Sequence, residues 1–512
     1  MIPEIRNDNG IETLYVNDKP FLALSGEIHN SSASNLDFME KNVWSNLKDL
    51  NMNSVIIPIY WEQVEKKEGV YDFSLVEGLI HQARQNHMKL IFLWFGLWKN
   101  AESMYVPGWM KKDTATYFRA KKVTGEPLNT ISPLCEAAIE KDASAFRSLL
   151  RFIREIDEQE STVITIQVEN EIGLLGTERD YSNAANEAFE QAVPEHLISA
   201  LGLSCGTWKE VFGKEAEESF MAYYFAKAVE QITKAGRNEY PLPCYTNAWL
   251  KQYPWFAGSY PSGGPVVHMQ SIWRATAPSL FTFAPDIYVP YVPQILDEYH
   301  YEGNPLFIPE VRKDAVTASY CLYAFGKHHA ICYSPFGIEE LAMDPDAIDK
   351  PPMEVMVALN IDPSAFDIEG SKAYLSRVYQ LMEDMKPVYL KYRGTPKLQS
   401  YVRKSETDYG TFLEFEKYDI QIAYSPRMPR KPLAAGMIYE LDSDKFLMIG
   451  MMSTLTFRPK AGENVKVDVI HFEEGELKDG EWIPGRTLNG DEKMSVRFGD
   501  IAQCYLIELY KY

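Results

Sequence analysis

From residue 21 onward, short apolar runs alternate with longer segments of helical period. The runs are FLALSGEIH, SVIIPIYW, KLIFLWFGLW, VITIQVENE, LPCYTNAW, FTFAPDIYV, PLFIPEV and AICYSPF, each of strand length. Between them the spacing predicts helices over 37–51, 74–88, 137–158, 219–236, 291–301 and 318–328. In the third, Ile139, Phe146, Leu149, Leu150, Ile153 and Ile156 recur at three- and four-residue steps. Eight strands with interleaved helices imply parallel pairing through right-handed crossovers. The expected fold class is therefore α/β, a (β/α)8 TIM barrel, with an open doubly wound sheet as the alternative.

A hairpin pattern, ETLYV-ND-KPFLAL, precedes the first barrel strand. The stretch 172–241 is too long for one ordinary crossover and is punctuated by Gly, Asn and Pro, so it reads as an insertion after strand four that shapes the barrel mouth. After a helix pattern at 371–391 the chain turns to alternating strands and turns, as in GTFLEFEKYDIQIAYS. The predicted division is a catalytic barrel over 1–392 and a smaller antiparallel β domain over 393–512. The second domain reads as a lid or scaffold, with sugar binding or an oligomer contact left open.

The polar positions inside the strands carry the candidate chemistry. In VITIQVENE, Val163, Thr165, Gln167, Glu169 and Glu171 share one face, and Ile164, Ile166, Val168 and Asn170 the other. With the apolar face toward the helices, Glu171 falls at the C-terminal rim and Glu169 one layer deeper in the lumen. Glu310 ends the seventh run, PLFIPEV. Two rim glutamates facing each other suit glycosidic hydrolysis, one as proton donor and one as attacking or assisting carboxylate. A gap of about 5 to 5.5 Å would retain configuration, and one of roughly 6.5 to 9.5 Å would invert it. The competing reading is a rim ion pair of Glu310 with Arg312 or Lys313.

Composition narrows the partners. The chain of 512 residues has a formal net charge of −21, which disfavours nucleic acid and anionic membranes and fits a neutral substrate. Aromatics make up 13% of the residues, enough either to pack cores or to stack on sugar rings. The six cysteines are scattered without a CxxC pair and read as reduced core thiols. MIPEIRNDNG lacks the features of a signal peptide, and no run reaches membrane-spanning length, so a cytoplasmic protein is expected.

QVENEIG, together with SGEIHNSS and IPEV, resembles glycoside hydrolase family 35, the β-galactosidases of the retaining barrel clan, over about residues 10–340. The run YPSGGPVVHMQSIWRATAPS resembles a bacterial branch of that family with a β-rich C-terminal domain. The resemblance implies Glu171 as general acid/base, Asn170 as partner of the sugar 2-hydroxyl, and Glu310 as nucleophile. It implies an exo-acting, retaining enzyme on a small β-galactoside, with no metal or cofactor. The alternatives are the same chemistry on another β-linked sugar (glucosamine, arabinopyranose or fucose) and a sugar-binding barrel without turnover. The chain departs from the family pattern at Pro58, where many members carry Tyr, and at Asn100, where many carry a sugar-contacting glutamate. The segment around Pro58 is closer to glycoside hydrolase family 42.

Further pocket candidates are His29, Asn247 and Tyr288, the last as a donor that holds the nucleophile ionised. Trp61, Trp98 and Trp273 are candidate stacking faces, with core packing as the alternative. Glu169 reads as a buried carboxylate that supports the site, with direct sugar contact left open, and Asp286 as a structural rim residue. Lys99 and Arg312 read as ion-pair partners at the mouth. The expected partner is a small carbohydrate, with homo-oligomer formation left open.

Overall fold

The structure is a computed structural model and describes residues 1–348 and 350–512. Eight parallel strands form the central sheet: β1 (Ala23–Leu24), β2 (Ser54–Tyr60), β3 (Lys89–Lys99), β4 (Val163–Asn170), β5 (Cys244–Trp249), β6 (Leu280–Ile287), β7 (Phe307–Val311) and β8 (Cys332–Pro335). Each pairs with its neighbours in chain order, and β8 returns to β1. The Ile56 N–H donates to Gly26 and the Ile28 N–H to Ile56, which joins β1 to β2 and closes the barrel. The doubly wound alternative is thereby excluded, since an open sheet would leave both edges unpaired.

A principal helix follows each strand. These include α1 (Ser74–Gln85) after β2, α2 (Glu136–Asp157) after β3, α3 (Ala216–Arg237) after β4, α4 (Thr317–His328) after β7 and α5 (Ser371–Asp384) after β8. The predicted helix 37–51 is broken into Leu36–Phe38, a π turn Met39–Val43 and Trp44–Leu47. The apolar positions read from the period of α2 are buried in the barrel wall, apart from a half-buried Ile156.

Pro58 lies in the interior of β2, where a missing N–H is normally costly. Ile56, two residues earlier and facing the same way, makes the amide bond to β1. That junction ends there, so the position of Pro58 needs no donor.

The C-terminal part is all antiparallel. A six-stranded sheet runs in the order Leu398–Val402, Ala435–Asp442, Lys445–Met451, Gln503–Lys511, Val467–Lys478, Glu481–Thr487, beside a four-stranded sheet. The central strands alternate between two cores. Met437, Tyr439, Leu447 and Ile449 join the barrel's core, whereas Ile438, Phe446 and Met448 join the core between the two sheets. A strand buried on both faces reads as a continuous apolar run, as FLMIGMM does.

α5 ties the halves together. Its Tyr379 hydroxyl donates to the carbonyls of Ser25 and Tyr333, while Arg377 reaches Glu476 of the β region. All six cysteines are free, five buried and Cys205 exposed. Among the described residues no helix is long and apolar enough to cross a membrane.

Candidate active site

A cavity of about 230 Å³ opens at the C-terminal ends of the barrel strands, lined by Glu171, Asp286, Tyr288 and Glu310 together with Lys99 and Asn100. Asn30 and Phe336 complete the wall on the β1 and β8 side. The sequence pattern missed the remaining wall. Trp249, Leu250 and Gln252 follow β5, and Leu359, Ile361 and Phe366 come from the segment after β8. The insertion after β4 contributes no lining residue. Its helices, Asn183–Phe189, Glu195–Leu201 and Trp208–Phe212, pack beside the barrel instead. The signal was position: barrel mouths are built by residues just past the strand ends.

The end of β4 does not follow strand parity. Glu169 has φ +62° and Glu171 has φ +46°, left-handed values that cost a non-glycine residue energy. The chain therefore turns over at Glu169. Its carboxylate points outward toward Asp142 of α2 and accepts the N–H of Trp98 at 2.6 Å and of Leu97 at 3.2 Å. The Asp142 carboxyl, within hydrogen-bonding reach of Glu169, takes the Leu97 N–H at 2.8 Å and the Trp94 indole at 2.8 Å.

Two buried carboxyls in contact must share a proton. Burial pushes Glu169 well above the usual range and Asp142 up to about 6. Glu169 is thus neither a lumen residue nor a sugar contact. It anchors the bulge that Phe95–Trp98 makes where β3 gains residues on β4.

The same reversal sends Asn170 inward. Its Oδ1 accepts from Lys99 Nζ at 2.9 Å, and Asn100 Oδ1 accepts from the same ammonium at 2.7 Å. Lys99 is buried at the cavity wall rather than ion-paired at a solvated mouth. Asn247 does not line the cavity but clamps it. Its Oδ1 accepts the Glu171 N–H at 2.8 Å and its Nδ2 donates to Asp286 at 2.7 Å.

Glu310 has no ion pair with its chain neighbours. Arg312 is taken by Asp314 and Asp362, and Lys313 by Glu340. Glu310 accepts the Tyr288 hydroxyl at 2.5 Å, and the Tyr288 ring stacks on Phe366 at 5.4 Å. Burial pushes the Glu310 carboxyl up, while Lys99, Tyr288 and His29 pull it back. For Glu171, burial and the Glu310 charge push the carboxyl up to about 7, against Lys99 and Asp286. Both carboxyls are thus raised, and they differ in their partners: the Glu310 carboxylate accepts the Tyr288 hydroxyl, whereas Glu171 faces the Asp286 carboxyl.

His29 sits behind the rim, its Nε2 at 2.6 Å from Glu340 and its ring edge-on to Phe336. The three tryptophans are core residues. Trp61 is buried against Trp94 and Trp109, Trp98 against Phe225 with its indole on the Ile131 carbonyl, and Trp273 donates to the Gly263 carbonyl. They end in protein contacts, and the aromatic side chains that line the cavity are Trp249, Tyr288, Phe336 and Phe366. Glu27, just past β1, was not singled out by the sequence pattern. It is 1% exposed, and neither carboxyl oxygen has a partner among the described residues. Among the described residues no group of three His, Cys, Asp or Glu is arranged to hold a metal.

Residues 13–255 match the sequence model of glycosyl hydrolases family 35, and residues 375–499 match a domain of unknown function, DUF5597. The first match covers β1 to β5 and Glu171 and stops before Glu310. Among solved structures, the catalytic domain of β-amylase from Paenibacillus polymyxa is similar at 11% identity and a TM-score of 0.47, over 66% of this chain and 97% of that one. The β-galactosidase from the psychrophilic Marinomonas ef1 is similar at 13% identity and a TM-score of 0.44, over 71% of this chain and 60% of that one. A search of the curated proteins finds no match.

Proposed function

We propose, from the match of residues 13–255 to the family 35 glycosyl hydrolase model and the paired glutamates of the cavity, a retaining, exo-acting glycosidase that removes terminal β-linked galactose from small glycosides or oligosaccharides. The observation that carries this reading is the asymmetry of two glutamates in one cavity. Glu171, pushed up to about 7 by burial and by Glu310, is a proton donor at neutral pH. Glu310, whose carboxylate accepts the Tyr288 hydroxyl and faces the Lys99 charge, is the nucleophile.

In the first step the Glu310 carboxylate attacks the anomeric carbon while Glu171 protonates the departing glycosidic oxygen. The negative charge of Glu310 is then lost in the ester, which makes Glu171 more acidic and fits it to act as base. In the second step water gives a proton to Glu171, its oxygen attacks the anomeric carbon, and the bond to Glu310 breaks. The cavity at the barrel mouth has room for a sugar ring between the two glutamates, as exo action on a terminal residue requires.

The same chemistry on another β-linked sugar draws support from Asn100, whose amide oxygen is already engaged by Lys99. A panel of nitrophenyl glycosides separates the two readings. Fastest release from the β-galactoside supports galactose, and release from the β-glucosaminide, α-arabinopyranoside or β-fucoside alone supports the alternative. Binding without release on every substrate would sink both. For the roles, azide should rescue Glu171→Ala with a β-glycosyl azide product and Glu310→Ala with an α-azide. Exchanged products would reverse the assignment.

A further inference from the structure

The end of strand β4 carries two glutamates, Glu169 within it and Glu171 just past it, and each meets an aspartate from another element. Glu169 meets Asp142 on the helix side, and Glu171 meets Asp286 on the cavity side, within hydrogen-bonding reach. Asp286 belongs to β6 and stands in register beside Glu310 of β7. Its Oδ2 is fixed by the Asn247 amide, whose other end holds the Glu171 N–H. Its Oδ1 is buried at the cavity wall without a partner among the described residues. A single asparagine therefore ties the Asp286 carboxyl to the backbone of Glu171.

We propose that Asp286 is a positioning residue that stays protonated through the reaction cycle and donates its proton as a hydrogen bond to the Glu171 carboxylate. The inference rests on the reading of Glu171 as acid/base. Asp286 transfers nothing. When Glu171 has given its proton to the leaving oxygen, the Asp286 O–H stabilises the carboxylate left behind. That carboxylate then takes the proton of the attacking water, and the Asp286 O–H remains where it was.

The surroundings favour the protonated form. Asp286 faces Glu310, Glu171 and Glu27, with Lys99 as an opposing cation. Burial and the three glutamates push its carboxyl well above the usual range. An ionised Asp286 touching an ionised Glu171 would place two like charges in contact at low dielectric.

The test is the alkaline limb of the kcat/KM profile, which follows loss of the Glu171 proton. Asp286→Asn keeps a neutral donor, so the limb should stay in place with activity within about tenfold of wild type. Asp286→Ala removes the donor, so the limb should move up by about one pH unit, the worth of one hydrogen bond to a carboxylate. An ionised Asp286 predicts the opposite, because removing its charge in either variant would move the limb down, and that result would overturn the proposal. A folded but inactive Asp286→Asn would overturn it as well.

Infrared difference spectra of wild type against Asp286→Asn at neutral pH give a readout that needs no turnover and no folded alanine variant. A protonated-carboxyl band lost in the variant supports the proposal, and loss of a carboxylate band instead refutes it. If the wild type hydrolyses no glycoside while the protonated band is present, the functional reading has failed and the proton assignment stands.

Discussion

At the scale of single residues the site is a problem of crowded carboxyls. Lys99 is the cation that acts on Glu27, Glu171, Asp286 and Glu310 alike. Tyr288 supplies Glu310 with the donor that favours its ionised form. Tyr288→Phe should therefore move the acidic limb of kcat/KM upward and lower kcat about 10²-fold, the scale for removing one oriented donor. An unmoved limb would mean that Tyr288 only packs.

Glu27 offers a stability test. Burial, then the Glu310 charge, raises its carboxyl well above the ordinary value. The folded chain thus keeps a proton that the unfolded chain releases near pH ~4.3. Stability from this group is full below that pH and is lost as pH rises toward the folded value. Glu27→Gln should match the wild-type Tm at pH 4.5 and exceed it at pH 8.5 in calorimetry. A variant less stable at both pH values would show that the ionised carboxylate is needed.

At the scale of elements, the junction of β3 and β4 builds the site. β3 inserts extra residues between its pairings Trp94 to Val168 and Lys99 to Asn170. The amides released by that bulge go to the Asp142 and Glu169 carboxyls. Gly96 lies over this pair, and a Cβ there would stand 2.4 Å from the Trp94 indole nitrogen and 2.5 Å from both the Asp142 and Glu169 oxygens. Gly96→Ala should cost about 1–3 kcal/mol in denaturant unfolding, as overpacking does. It should also reduce kcat, because Lys99 follows the bulge. Full stability with full activity would show that the bulge is not under this constraint.

At the scale of the whole molecule, the six-stranded sheet is a shared wall between two cores. Gly326 of α4 approaches Ser400 and Met437 so closely that a Cβ would stand 2.7 Å from the serine side chain. Ser319 exchanges hydrogen bonds with Leu433. A chain cut after residue 392 would expose the α4 and α5 surfaces that this sheet covers. We expect it to aggregate or to bind a hydrophobic dye, and a soluble, active fragment would show that the barrel stands alone. Glu27, Asp142, Glu169, Glu171 and Asp286 are all shifted up. The folded chain therefore binds extra protons near neutrality, and its stability should fall between pH ~5 and ~8. A stability maximum above pH 8 would contradict this set of protonation states.

The sequence by itself determined the barrel, because apolar runs of strand length alternating with a helical period leave parallel pairing as the way to bury both. It also determined the two strand-end glutamates, since a carboxylate closing a buried strand needs a reason. It could not determine where Glu169 points. Parity assumes an unbroken strand, and two left-handed residues at Glu169 and Glu171 cancel it. Nor could it separate Trp61 and Trp98, which are core, from Trp249, which lines the cavity, because all three sit at strand ends with the same local pattern. Only the tertiary structure brought Asp142, Asp286 and Glu27 against the glutamates. Those groups come from five separate elements, and burial and charge act through space whatever the separation along the chain.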